Sequence, residues 1–271
     1  MLRAEIRGWA GCFDQKRNLL FWSRQRNIKH ELSSLTKSPE QWLQAPIPRS
    51  ALLEAYLWDY LLNSVFQPGF LWSGNMNEGM SAIHKFLLQS VDARADPKAL
   101  EDYHTWRALT AIQFHESPLQ QSLTHALINK LQTDIQERVR TFAAYTSSNV
   151  RQELRTIIAH AVDIDLLIQT QQATYQPYRL TEGDRLFDFR ALEGQAQVYR
   201  YARKTTGDDI VRLVVSPGLY RSGDVDGVGR SFNKVILERC EVWTDSQPRR
   251  TDSEGLRRSN ATNGSRRPSR V

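Results

Sequence analysis

The residues of this chain able to do acid–base, metal or nucleophilic chemistry stand singly or in incomplete sets. Glu101-x-x-His104 has the i, i+3 spacing that places a carboxylate and an imidazole on one helix face, as in di-iron carboxylate bundles. Such sites need a second pair and two further glutamates. The nearest second pair, His160-x-x-Asp163, is reversed and lacks glutamate. His115 and His125 flank Pro118 without a zinc spacing. Asp224-x-Asp226-Gly227 resembles the opening of a calcium loop, but Val235 stands where the bidentate glutamate of such a loop is required. Asp163/Asp165 and Asp208-Asp209 do not extend into the aspartate cluster with which terpene-cyclising enzymes hold magnesium diphosphate. There is no Gly-x-Ser-x-Gly elbow, Walker loop or dinucleotide fingerprint. These positions read as helix-surface polars and turn residues. No catalytic residue, metal ligand set or cofactor is expected.

Two further groups invite a binding role. Trp58, Trp72 and Trp106, with His104 and His160, are candidates to line a small-molecule pocket between helices, as in an enzyme or ligand carrier. The same aromatics otherwise fill a core, and Phe66, Phe70 and Trp72 read as core filler. The second group is the Arg-rich end, with Arg249-Arg250, Arg257-Arg258-Ser259 and Arg266-Arg267-Pro-Ser269. The last has the form of a basophilic kinase site, where a phosphate would add about −2 charges beside arginines. The pairs are also a candidate nuclear-import or nucleic-acid patch, for which binding should weaken steeply with salt.

The elements that would position these residues are legible from glycine, capping and periodicity. The chain of 271 residues has no glycine between Met80 and Glu182, whereas seven fall between Gly183 and Gly229. This divides a long helical body from a short β-prone end. Ser38-Pro39-Glu40-Gln41 and Ser117-Pro118-Leu119-Gln120 carry an N-cap serine, a proline at the first helical position and a reciprocating Gln. Asp96-Pro97 is a simpler start, and Asn149 with Gln152 a looser one. Leu119, Leu123, Leu127, Leu131, Ile135, Val139 and Phe142 form one helical stripe. Val150, Leu154, Ile157, Ile158, Ala161, Ile164 and Ile168 form another, so the two should pack as an antiparallel hairpin. Ala51–Phe66 is apolar almost all round, which predicts a central, buried helix.

After Gly183, the runs 186–189, 198–201, 210–215 and 235–243 are β-prone, with a turn at Ser216-Pro217-Gly218 and a loop from Gly223 to Gly229. Extended segments lying on the helices without a true sheet are the alternative. From Asp245 the composition collapses to Ser, Arg, Asn, Gly, Thr and Pro, which cannot bury enough apolar surface to order itself. The expected architecture is mainly α: a multi-helix, bundle-like domain over 1–182, a β-prone segment packed on it over 183–244, and a disordered basic tail over 245–271.

Charge and cysteine usage bound the setting. The net charge of +6 is concentrated at the ends: residues 1–50 hold nine Lys/Arg against four Asp/Glu, and residues 245–271 seven against three. The body between is net acidic, which argues against a nucleic-acid surface on the folded core. No apolar run approaches the roughly 18–20 residues of a membrane span. The stretch Met1–Arg7 lacks the apolar region of a signal peptide. Cys12 and Cys240 therefore read as free thiols in a reducing compartment, cytoplasmic or nuclear, and the Asn260 and Asn263 sequons as unused.

The segment Pro48-Arg-Ser-Ala-Leu-Leu-Glu-Ala-Tyr-Leu-Trp58, with Val65-Phe66 and Leu71-Trp-Ser-Gly74, resembles uncharacterised helical proteins of filamentous fungi. Ser216-Pro-Gly-Leu-Tyr220, the loop 223–227 and the strand ending at Val242 resemble the C-terminal end of the same proteins. The resemblance brackets most of residues 45–243, excludes the basic tail and implies no activity or catalytic residue.

A soluble, non-enzymatic helical protein that acts by binding, chiefly to another protein, is the function expected. The aromatic pocket and the nucleic-acid-contacting tail are the alternatives. Because the tail lies outside any core, deleting residues 245–271 should leave the thermal unfolding curve unchanged. A lowered melting temperature would show that the tail packs on the body.

Overall fold

The computed structural model of the chain describes residues 1–12, 32–43, 46–66, 73, 76–94, 97–140, 148–180, 196–198, 210–223 and 234–244. Within them lie seven α-helices: α1 (Leu2–Gly11), α2 (Pro39–Leu43), α3 (Pro46–Leu61), α4 (Asn77–Arg94), α5 (Pro97–His115), α6 (Gln120–Arg140) and α7 (Ser148–Gln169). Six strands follow: β1 (Thr174–Tyr178), β2 (Ala196–Val198), β3 (Val211–Ser216), β4 (Gly218–Ser222), β5 (Lys234–Glu238) and β6 (Cys240–Thr244). The chain is thus mostly helical with a few C-terminal strands.

Helix α3 is the centre, as its all-round apolar composition predicts. Every residue from Ala51 to Leu62 is buried except Asp59, which is half-buried. The helix widens into a π-helical turn over Leu62–Phe66. Helices α5 and α2 begin at Pro97 and Pro39, where the capping residues place them, whereas α7 begins at Ser148, ahead of the expected cap at Asn149. Ser117 accepts a hydrogen bond from the backbone N–H of Leu119 at 3.3 Å, just before α6. Helices α6 and α7 run antiparallel side by side. Gln132 donates to the carbonyl of Arg151 at 3.1 Å, and Arg155 donates to Asn129, so rising numbers on one helix meet falling numbers on the other. Tyr60 donates to Asp134 at 2.8 Å, fastening α3 to α6.

The strands form two three-stranded sheets, ordered β1-β4-β5 and β2-β6-β3. All pairings are antiparallel except β2 with β6, which is parallel. The two sheets share strands in a continuous way. β3 runs into β4 through Pro217, and β5 into β6 through Arg239, so a single long hairpin bends at both points and contributes to each sheet. Proline at the corner removes a backbone donor where the ladder must break. Gly218 follows because a β-carbon there would lie 2.1 Å from the Tyr178 ring, which crosses the strand to donate to the carbonyl of Glu238 at 3.2 Å. Gly223 ends β4 with φ 92°, a left-handed conformation that favours glycine. The strand β1 precedes the glycine-rich region, and β4 begins where only a turn was expected. The stretches 186–189 and 224–229 lie outside the described residues, as does the tail.

Helix α1 joins the two halves, and the sequence gives it no side-chain cap. Leu2, Ile6, Trp9 and Ala10 fall at helical spacing and are buried against α3 and α7. They share one core with α3, α6, α7 and the inward residues Leu213 and Val215 of β3. Burial of each large side chain stabilises by roughly 1.5–3 kcal/mol as an upper figure. The opposite edge of α1 is charged. Arg3 donates to the carbonyls of Pro217 at 3.1 Å and Arg239 at 2.9 Å, the two corners of the bent hairpin. One turn on, Arg7 reaches Glu54 of α3 at 3.5 Å and Glu241 of β6. Glu54 is fully buried, and Glu241 nearly so.

Removing one member of a buried ion pair leaves an uncompensated charge. Arg7→Leu should therefore lower stability by about 2–4 kcal/mol, discounted for the partial exposure of the guanidinium. Glu54→Gln in that background should return part of the loss. Strict additivity of the two substitutions in urea unfolding would show that Arg7 and Glu54 are not coupled.

Candidate functional site

The structure brings two of the candidate pocket residues, His104 and Trp106, against Tyr103, at ring-centroid distances of 4.8 and 6.2 Å, and sets Trp58 and His160 elsewhere. Trp58 belongs to the main core. Trp106 belongs to a smaller cluster with Ala111 and Leu166, flanked by Met80 and Phe114. His160, on α7, faces α1, where its Nδ1 lies 2.8 Å from Glu5. His104 is buried and stacks edge-on to Tyr103, with ring centroids 4.8 Å apart. Trp72 and the tail residues Arg257, Arg258, Ser259, Arg266, Arg267 and Ser269 lie outside the described residues. Glu101 is exposed while His104 is buried, and Asp163 is exposed while His160 turns to Glu5, so neither Glu/Asp–His spacing makes a shared site. Among the described residues, no group of three or more His, Cys, Asp or Glu side chains could hold a metal ion.

A polar cluster that sequence reasoning missed lies between α5 and α7. Arg107 is buried and donates to the carbonyls of Gln171 at 2.6 Å and Ala173 at 3.0 Å, closing the turn from α7 into β1. Burial pushes its guanidinium below the ordinary arginine range. Asp165, also buried, receives a long hydrogen bond from Gln169 at 3.4 Å. Burial raises its carboxyl to about 7, against the opposing pull of Gln169 and the Arg107 charge. Next to Arg107, Tyr103 bonds His84 of α4, whose imidazole is pushed down chiefly by burial. Asp165 had been legible only as part of an incomplete aspartate pair. Nothing local shows that it and Arg107, far apart in sequence, come together.

Two surfaces remain. One is an open cleft of about 550 Å³ between α1 and the first half of α7, lined by Glu5, Trp9, Cys12, Gln152 and Glu153 among others. The thiol of Cys12 lies 3.7 Å from Glu153; partial burial and that carboxylate push its pKa up, away from the reactive thiolate. Cys240 is buried, and its thiol is raised to about 11. Neither cysteine is poised as a nucleophile.

The other surface is the outer edge of the β1-β4-β5 sheet. Among the described residues, strand β5 ends that sheet, and Val235, Ile236 and Leu237 are 44%, 38% and 43% exposed. Three consecutive aliphatics on a strand present both of its faces, since side chains alternate. A register shift opposite Leu219/Tyr220 leaves Leu237 as the extra residue of a bulge. Sequence reasoning identified 235–243 as β-prone but not its place at an edge, because sheet order is not a local property. The cluster around Arg107 is closed and holds structure. The cleft carries polar groups engaged with one another. The β5 edge is the candidate interaction site.

The raised carboxyl of Asp165 has a measurable consequence. It keeps its proton to about pH 7 when folded but only to 3.8 when unfolded, so the folded state binds the extra proton across that window. Its contribution to stability therefore falls as pH rises from about 4 to about 7, by on the order of a few kcal/mol. Asp165→Asn should melt higher than the parent near pH ~8, with the advantage shrinking as pH falls and vanishing only near pH ~4. A variant less stable at the higher pH would show that the Arg107–Asp165 attraction outweighs burial. No protein-family model matches the chain, and neither a curated protein nor a solved structure does.

Proposed function

We propose that this chain is a non-enzymatic binding protein whose partners are proteins, and that strand β5 is the edge they meet. The observation that carries this reading is the run of three exposed aliphatics on an edge strand. Proteins ordinarily blunt such edges with charge, proline or a covering element, because an open strand templates pairing with another chain. The other edge of the same sheet, β1, is blunted: Thr174-Tyr-Gln-Pro-Tyr178 contains Pro177, and Gln176 and Pro177 are exposed. An edge left apolar beside one made polar fits recognition by strand addition, in which backbone bonds supply affinity and alternate side chains specificity.

Trp58 and His160 do not join the rings of Tyr103, His104 and Trp106, which favours this reading over a ligand carrier built on all four candidates. No helix among the described residues is long and apolar enough to cross a membrane. Cys12 and Cys240 are free thiols, which accords with action inside the cell. The kinship with helical fungal proteins, proposed from the segments around Trp58 and Pro217, adds no activity.

Replacing Val235, Ile236 and Leu237 together by threonine keeps strand propensity while removing the apolar edge. Affinity capture with parent and variant, followed by identification of what co-purifies, should show partners lost from the variant while its thermal melting is retained. An unchanged set of captured proteins would overturn the assignment of β5.

A further inference from the structure

Helix α4 runs for 18 residues, yet none of its described side chains is buried. Its inward side is fixed by Met80, which joins the cluster of Ala111 and Leu166, and by His84, which bonds Tyr103 of α5. About a third of a turn from that side, Gly79, Ala82, Ile83 and Phe86 form an uncharged stripe at helical spacing. Phe86 is 67% exposed and Ile83 46%. Glu78 and Lys85, both exposed, fall on the same helix face and share the outer flank of the stripe. An apolar surface rimmed by charge marks a place where another protein surface is received. We propose that a second copy of this chain covers it, α4 packing antiparallel on α4 about a two-fold axis between Ala82 and Ile83.

The choice of a second copy follows from shape and charge together. With the axis so placed, position 86 of one copy falls level with position 79 of the other, and 83 with 82. The bulkiest side chain of the stripe, Phe86, then lies over the residue that has none. A β-carbon at Gly79 would meet nothing within 4 Å, so the recess is open in the single chain. Glycine and alanine at the crossing let the two helices approach to the roughly 8–10 Å of packed pairs. The axis stands normal to the helix pair, so the charged flank of one copy adjoins the same flank of the other. Glu78 is there within about 3 Å of the height of Lys85 of the other copy, and the pair of opposite charges occurs twice. Parallel pairing would instead set Phe86 on Phe86, Glu78 on Glu78 and Lys85 on Lys85. The antiparallel contact uses the stripe on both copies at once and is closed. One helix per copy makes a small interface, so the association belongs in the weak, concentration-dependent class. It is independent of the β5 edge.

Sedimentation equilibrium of the full chain, from micromolar to near-millimolar, should fit a monomer–dimer equilibrium. Gly79→Leu fills the recess and should weaken the dimer by about tenfold or more. The same substitution removes a glycine from a helix, so the variant should melt no lower than the parent, which separates lost pairing from lost fold. Phe86→Glu should abolish the dimer. Glu78→Lys alone and Lys85→Glu alone each set like charges together and should weaken it about threefold. The double variant Glu78→Lys/Lys85→Glu restores opposite charges and should recover the parent's dissociation constant. The threonine variant of Val235, Ile236 and Leu237 should dimerise as the parent does. A chain that stays monomeric throughout overturns the proposal, as does a dimer indifferent to Gly79→Leu and Phe86→Glu, or one that the double charge variant fails to restore. Loss of the dimer in the threonine variant instead would move the contact to β5 and overturn the assignment of α4.

Discussion

A carboxylate fully buried in the central helix is the constraint on which the rest of this structure depends. Glu54 interrupts an otherwise apolar stretch, and a charge so placed is tolerable only with a cation brought to it. The cation comes from the other end of the fold's logic: Arg7, on the first helix, which also engages Glu241 of the last strand. The helix that supplies it must therefore lie between the helical body and the sheets. Once it does, Arg3 falls one turn away at the hairpin corners, Glu5 faces His160 of α7, and Ile6 and Trp9 face the core. One electrostatic requirement sets the position of the element that unites the architecture.

Arginine is used twice in the same manner, as a fork on backbone carbonyls that the regular ladders leave unsatisfied. Arg3 does this at the bend between the sheets, and Arg107 at the exit of α7 into β1. Both are places where the chain changes from one kind of structure to another. A planar guanidinium with several fixed donors suits such sites better than an ammonium would. These two guanidinium groups are thus occupied in holding turns.

The parts of the fold legible from sequence are those specified by neighbours in the chain. The starts at Pro39 and Pro97 follow from capping chemistry, and the antiparallel pairing of α6 with α7 from two apolar stripes and a short connection. The depth of α3 follows from its composition. What escaped was specified at a distance. Helix α1 has a readable spacing of Leu2, Ile6, Trp9 and Ala10 but no cap, and its charged face has meaning only beside Glu54 and Glu241. β4 was hidden by Pro217-Gly218, which mark a turn in isolation and a corner in context. Of the candidate site residues, His104 and Trp106 share Tyr103 as a ring neighbour, whereas Trp58 and His160 face other elements, which no local pattern foretells. The β5 edge offered an apolar run, but nothing nearby showed that it would lie outermost among the described strands of its sheet.

The contact between α1 and the bent hairpin also has a temporal side. Arg3 and the corner carbonyls it grips are separated by 214 and 236 positions, and Arg7 and Glu241 by 234. A ribosome delivers the helix long before it delivers the strands. Until β6 has emerged, Arg7 has only part of its acidic setting, and the bend that Arg3 fastens does not exist. Locally wired helices such as α6 and α7 can form as they are made, but the closing of the fold waits for the last strand. Such long-range closure slows folding and prolongs exposure of apolar surface. During that interval Ile6 and Trp9 lack part of their final cover, which makes this N-terminal helix the segment a nascent chain most needs shielded.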